Sequence, residues 1–155
     1  MLTFSLTIFG GFLTFALGQI FLKLVIEPTQ EFKKTLGRTS HTLLVHQIKL
    51  TNTIADENVA LEIKLRSAEI ASQIDVILWY PLMQKLFSLP NKSDAKKASR
   101  CLNMLYRHML PDFRNLIKAP EISDDIFELG EIKEILKEMK EIEKLLNIEV
   151  SYNVD

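Results

Sequence analysis

The sequence predicts an all-α protein with one N-terminal transmembrane helix, then a helical cytosolic domain, assembled as a symmetric oligomer. Three observations carry the helical fold and the span. Residues 1–22, MLTFSLTIFGGFLTFALGQIFL, contain no Asp, Glu, Lys, Arg or His. From residue 29 onward apolar residues recur at helical spacing of three and four. No stretch alternates or clusters as a strand-rich region would.

The charge-free run sets the frame. A helix of that length measures about 33 Å, close to the roughly 30 Å hydrocarbon layer of a bilayer. A secretory signal would place basic residues before a shorter apolar core and small residues after it. Here nothing basic precedes the run, and Gly18-Gln19 leads into more apolar sequence. Lys23, Lys33, Lys34 and Arg38 follow it closely. Positive charge stays on the cytoplasmic side, which predicts a single-pass inner-membrane protein with its N-terminus outside. Thr3, Thr7, Gly11, Thr14 and Gly18 fall within about 80° of one helix face. Such small residues allow close helix approach, so this face is a candidate for self-association or for lining an oligomeric pore. The alternative is that the threonines bond their own backbone carbonyls.

The domain boundaries follow in order: a span over 1–26, a connecting helix over 27–54, and a ligand-binding helical domain over 55–155. Glu27-Pro28 predicts a kink or a restart, because proline removes a donor and crowds the preceding turn. Residues 29–54 read as helix through Phe32, Leu36, Leu43, Leu44, Ile48 and Leu50. His41 and His46 lie about 140° apart on it and cannot share a metal. A further helix over 55–80 begins at Asp56-Glu57, where acids suit the first turn. Its apolar residues Val59, Leu61, Ile63, Ile70, Ile74, Ile77 and Leu78 are too many for one stripe, predicting burial or a subunit interface. Asp75 among them reads as a cap or salt bridge. Trp79, Tyr80 and Pro81 close this helix, the aromatic pair filling core or stacking on a base.

Leu89 to Lys96 reads as a helix start with Ser93 as N-cap. On the helix that follows, Lys96, Arg100, Asn103 and Arg107 lie within about 60° of one another. Ala98, Leu102, Leu105 and Met109 form the opposite face. Residues 85–118 hold eight basic residues against two acidic ones, whereas 121–155 hold eleven acidic residues against four lysines. A basic block before an acidic tail points to an anionic partner, internal charge pairing, or both. Pro111, Pro120 and the Ser123-Asp124-Asp125 run mark a loop. The last helix, about 124–147, places Ile132, Ile135, Leu136, Met139, Ile142, Leu145 and Leu146 on one side. It is too short for a coiled-coil seam and is expected to dock on its own domain. Residues 149–155 form an extended tail.

Enzyme chemistry lacks its usual signatures. There is no phosphate-binding glycine loop and no metal-ligand spacing. Cys101 and His108 approach one helix face without a third orienting group, so no catalytic residue, metal or cofactor is expected. The single Cys101 has no internal disulfide partner and suits a reducing cytosol.

The run GQIFLKLVIEPTQEFKKTLGRTSHTLLVHQIKLTN at 18–52, with LFSLPNKSDAKKASRCLNML at 86–105, resembles a bacterial family of membrane-anchored helical proteins. Its members share a span, an I-E-P-x-Q-E-x-K junction and an L-P-x-K/R…A-x-x-x-L helix start. By layout the chain is also similar to small membrane effectors of type III CRISPR systems, which bind cyclic tetra-adenylate as tetramers in antiviral defence. That likeness implies a cyclic oligoadenylate partner and a homo-oligomer, with a tetramer favoured. Lys96, Lys97, Arg100 and Arg107 would meet phosphates, Ser93 and the helix amides another, and Asn91 or Asn103 an adenine edge. Binding would part the Thr/Gly seam, opening a pore or disordering lipid. The alternative is a membrane-tethered scaffold or toxin-like protein governed by a protein partner, its basic stripe facing an acidic surface or lipid headgroups.

Overall fold

In the computed structural model, residues 2–52, 56–110 and 124–150 are described, with side chains from residue 7 in the first segment and from 129 in the last. The described residues are helical, without a strand. The elements are α1 (Leu2–Phe21), a π-helical turn (Leu22–Ile26), α2 (Glu27–Val45), α3 (Gln47–Thr51), α4 (Glu57–Val76), α5 (Tyr80–Phe87), α6 (Lys92–His108) and α7 (Asp124–Leu146). The expected loop over 111–123 and the tail beyond Val150 lie outside the described residues.

From Leu2 to Val45 the backbone stays helical, about 65 Å in all. Where the proline is expected to kink or restart it, a π turn intervenes and α2 begins at Glu27, whose amide bonds the Leu22 carbonyl five residues back. In a regular α-helix the Pro28 ring would press on the carbonyl four residues earlier; widening the preceding turn gives it room. α1 is long and apolar enough to cross a membrane. Among the described residues nothing covers it: Ile8, Phe9, Phe12, Phe15 and Leu17 are all exposed. A helix apolar all round and bare within its own chain is at odds with water and matched to lipid.

Beyond the π turn the same rod becomes part of a bundle. Val25, Thr29, Phe32, Leu36, Thr39, Leu43 and Leu50 are buried, spaced alternately by four and three residues up to Leu43. On α4, Ala60, Ile63, Ser67, Ile70, Ile74 and Ile77 repeat the pattern. Ala95, Ala98, Leu102, Leu105 and Met109 continue it on α6, as do Ile135, Met139, Ile142 and Leu146 on α7. Alternating threes and fours keep one seam inward, the requirement for near-parallel helix packing. α4 packs between α2 and α6, α6 packs on α7, and α7 touches α3. The final helix thus docks on its own domain, as its length predicts.

Small polar residues bring the backbones close. Ser67 Oγ donates to the Ser99 carbonyl at 2.7 Å, and Ser99 Oγ donates back to the Ser67 carbonyl at 3.0 Å. Both are buried. This reciprocal pair satisfies two hydroxyls inside the α4–α6 seam without needing water.

Several boundaries differ from expectation. The helix read over 29–54 breaks at His46, whose φ of −98° and ψ of 9° end α2 before α3 begins. The helix read over 55–80 stops at Val76, and Trp79 does not close it. Trp79 instead takes a left-handed conformation (φ 50°) as the cap before α5. Pro81 then sits in the first turn of α5, where its missing donor costs nothing. Asp56 is the N-cap of α4, accepting from the Asn58 and Val59 amides. The N-cap of α6 is Asn91 rather than Ser93: Asn91 Oδ1 accepts the Ser93 amide at 3.1 Å. Leu61 and Leu78, expected either buried or at a subunit interface, are exposed in the single chain.

Candidate functional site

α6 carries the basic stripe, and its neighbours divide it. Its buried flank faces α4 and α7, and Arg100, Met104 and Arg107 are left outward. Toward α4, Lys92 and Lys96 both pair with Asp75, at 2.9 and 3.1 Å. Hydrogen bonds from Lys92 and then Lys96 hold the Asp75 carboxyl below its ordinary value. Asp75 is therefore a salt-bridge residue joining the last turn of α4 to the first turns of α6. Lys96, assigned above to a phosphate, has this carboxylate as its partner.

Toward α7, Lys97 lies 3.9 Å from Asp94. Asp94, Lys97, Lys140, Glu141, Lys144 and Leu145 line an open groove of about 550 Å³ between the two helices. Three lysines face two carboxylates there. Lys140 and Lys144 were not among the sequence candidates, although Lys133, Lys137, Lys140 and Lys144 recur at helical spacing. What the sequence lacks is the antiparallel docking of α7 that turns two of them toward Lys97.

Arg100 and Arg107 project between these flanks. Both are exposed, and neither makes an ion pair among the described residues. Asn103 is half-buried on the same helix face. Asn91 and Ser93 lie at the N-terminus of α6, where the Asn91 carboxamide already holds the Ser93 amide. The seven predicted ligand residues thus spread along the outward side of α6, with Arg100 and Arg107 as its unengaged cations.

The Cys101–His108 pair does not form a unit. The ligand atoms of Cys101, Glu138 and Glu141 lie within 4.8 Å of one another. Burial, reinforced by the Glu138 hydrogen bond and the charges of Glu138 and Glu141, pushes the Cys101 thiol up to about 12. A thiol so held stays protonated at neutral pH in the chain alone and is a poor nucleophile. His108 engages other residues: Nδ1 lies 3.6 Å from buried Glu131 and Nε2 3.8 Å from Glu134. These contacts tie the end of α6 to α7. His46 lies 3.2 Å from Glu62, which also accepts from Thr42 at 2.8 Å. Burial raises the Glu62 carboxyl, but hydrogen bonds from Thr42 and His46 and the charges of His46 and Arg66 outweigh it and leave it lowered.

On α1, Thr7, Gly11, Thr14 and Gly18 share one exposed face, with open space at both glycines. The Thr14 hydroxyl donates to the Gly10 carbonyl at 2.9 Å, the intrahelical arrangement. The Thr3 side chain lies outside the described residues. Comparisons with protein-family models, with curated proteins and with solved structures find no match.

Proposed function

We propose that the chain is a single-span membrane effector whose helical domain binds a cyclic oligoadenylate, cyclic tetra-adenylate foremost, and passes that binding to its span. The observation that carries this reading is the unbroken helix from α1 into α2. α1 would anchor the protein in the inner membrane with its N-terminus outside and its bundle in the cytosol, following the lysines at 23, 33 and 34. Because α2 supplies a full seam of core residues, a shift of the bundle would move α1 with it.

The anion side rests on Arg100 and Arg107, two cations without an ion pair among the described residues, flanked by Lys97, Lys140 and Lys144. Arginine suits phosphate because its planar fork donates two parallel hydrogen bonds. A ring of identical nucleotides asks for equivalent donors from several copies, so the active form would be a homo-oligomer, a tetramer for a four-membered ring. The Gly11–Gly18 face of α1 would then be the seam between copies. Binding drives opening only if the ligand prefers the open arrangement. Replacing both arginines by Glu (R100E/R107E) in the full chain is expected to weaken cyclic tetra-adenylate binding by a factor of roughly 100 or more. That is about 3 kcal/mol for two charged hydrogen-bonding groups. Membrane insertion is expected to be unchanged; unaltered binding would remove the site.

A second reading, a tethered scaffold held by a protein partner, is favoured by Leu61 and Leu65, which lie one turn apart and half-exposed on the outer side of α4. A fragment that captures a specific protein irrespective of nucleotide would support it.

A further inference from the structure

The end of the bundle from which α1 emerges carries an apolar face of its own. Gln73 and Val76, in the last turn of α4, line one groove with Lys23, Glu27, Pro28 and Glu31 of the emerging helix. The Tyr80 ring meets the Phe32 ring edge-on at 6.4 Å. Asp75 binds Lys92 and Lys96, so α4 ends and α6 begins side by side at this level. Between them runs the α5 segment, pinned at both ends because the Tyr80 hydroxyl also donates to the Pro90 carbonyl at 2.8 Å.

Tyr80 and Met83 turn inward and are buried. Trp79, Leu82 and Leu86 recur at three and four residues on the outward side and are exposed by 63%, 56% and 66%, with Leu78 beside them at 48%. The segment 77–93 contains Lys85 and Lys92 and no Asp or Glu. Large apolar side chains, one tryptophan and only basic charge are the attributes of a helix lying in a bilayer interface, where indole sits at headgroup level and lysine meets anionic lipid.

We infer that the outward face of α5, with Trp79, Leu82 and Leu86, rests in the headgroup and upper acyl zone of the membrane that α1 spans. The inference rests on the reading of α1 as a span. Its geometry is consistent: if the hydrocarbon layer ends near Leu22, headgroups extend roughly another 5–7 Å, to about Glu27. That is where Val76 lies against the emerging helix. The bundle would then be held to the bilayer at two points, the rod and the α5 foot, which fixes its tilt. Arg100 and Arg107, further along α6, stay in water.

Trp79 is the chain's one tryptophan and so reports on itself. The full chain is reconstituted into phosphatidylcholine–phosphatidylserine vesicles with and without acyl chains brominated near the headgroup or deep in the bilayer. Flotation after carbonate extraction is read in parallel. The expected result is carbonate-resistant flotation with blue-shifted Trp79 emission, quenched several-fold more by shallow than by deep bromine, and emission shifted back to the red in L82E/L86E, which still floats. Flotation with Trp79 quenched by aqueous iodide and not by bromine overturns the lipid contact. Blue-shifted emission insensitive to both quenchers places another protein copy on the face and overturns it too. Loss of carbonate-resistant flotation overturns the span reading, and this placement with it.

Discussion

Thr35 is wholly buried on α2, and its hydroxyl makes no hydrogen bond among the described residues. Its neighbours behave differently: Thr29 donates to the Val25 carbonyl at 2.7 Å and Thr39 to the Thr35 carbonyl at 2.8 Å. A buried hydroxyl without a partner carries a desolvation cost that a methyl of the same shape does not. Thr35→Val is therefore expected to stabilise the fold by about 1 kcal/mol, raising the melting temperature by roughly 2–4 °C for a chain of this size. Thermal unfolding followed by circular dichroism in detergent checks it; a fall in melting temperature would mean that Thr35 has a partner in the assembled protein. Cys101 supplies a second expectation at this scale. With its thiol pushed up to about 12 by burial and the two glutamates, it is expected to react with maleimide far more slowly at pH 7.5 than after unfolding. Glu138→Gln, which removes the nearest charge, is expected to speed that reaction several-fold in the folded chain. Neither residue announced this in the sequence. Thr35 resembles the other threonines of α2, and the glutamates reach Cys101 only through the docking of α7.

Among the elements, periodicity told most. The three-four spacing located α2, α4, α6 and α7, and the length of the charge-free run marked α1. Local breaks were less legible because they depend on backbone choices that side-chain patterns do not fix. Pro28 signalled trouble in the helix, but a π turn and a kink answer the same steric problem. Trp79 looked like the end of a helix. It adopts a left-handed conformation uncommon for a bulky residue and costing about 1–2 kcal/mol, which the burial of Tyr80 and Met83 behind it offsets. The capping of α6 by Asn91 rather than Ser93 is a two-residue error of the same origin. The joints between elements also carry the pH dependence. Asp56 is lowered by its hydrogen bond from Lys49 and then by the Val59 amide, Asp75 by Lys92 and Lys96, and Glu62 by the network described above. Each carboxyl is more acidic folded than unfolded, so its contribution is present in full above its ordinary value, 3.8 for Asp and 4.5 for Glu. It is lost as pH falls through the lowered folded value. Stability is expected to decline below about pH 4.5, and less steeply in Asp75→Asn, whose starting stability is lower. Urea midpoints between pH 7 and pH 3 read this directly, and parallel curves for the two proteins would exclude the Asp75 joint.

At the scale of the whole molecule, one helix carries two kinds of surface. Its first half is bare apolar surface, and its second half is the seam of a four-helix bundle. The sequence marked that division only roughly: charge begins at Lys23, but the expected boundary after Ile26 left Val25 in the span, and the buried Thr29 and Thr39 complete the three-four repeat from Val25 only in the fold. The candidate anion site was legible only in part. Arg100, Asn103 and Arg107 could be placed on one face of α6 by counting, whereas the diversion of Lys96 to Asp75 and the arrival of Lys140 and Lys144 required the fold. The proposed mechanism needs ligand bound on α6 to be felt by α1, and the continuous rod supplies the connection. The most direct measurement is calorimetric titration of the reconstituted full chain with cyclic oligoadenylates of ring size three to six, beside R100E/R107E. Tight, salt-sensitive binding of one ring size, the four-membered ring foremost, is expected, and its loss in the double variant. Absence of heat with every ring, from protein shown to be folded and inserted, would contradict it.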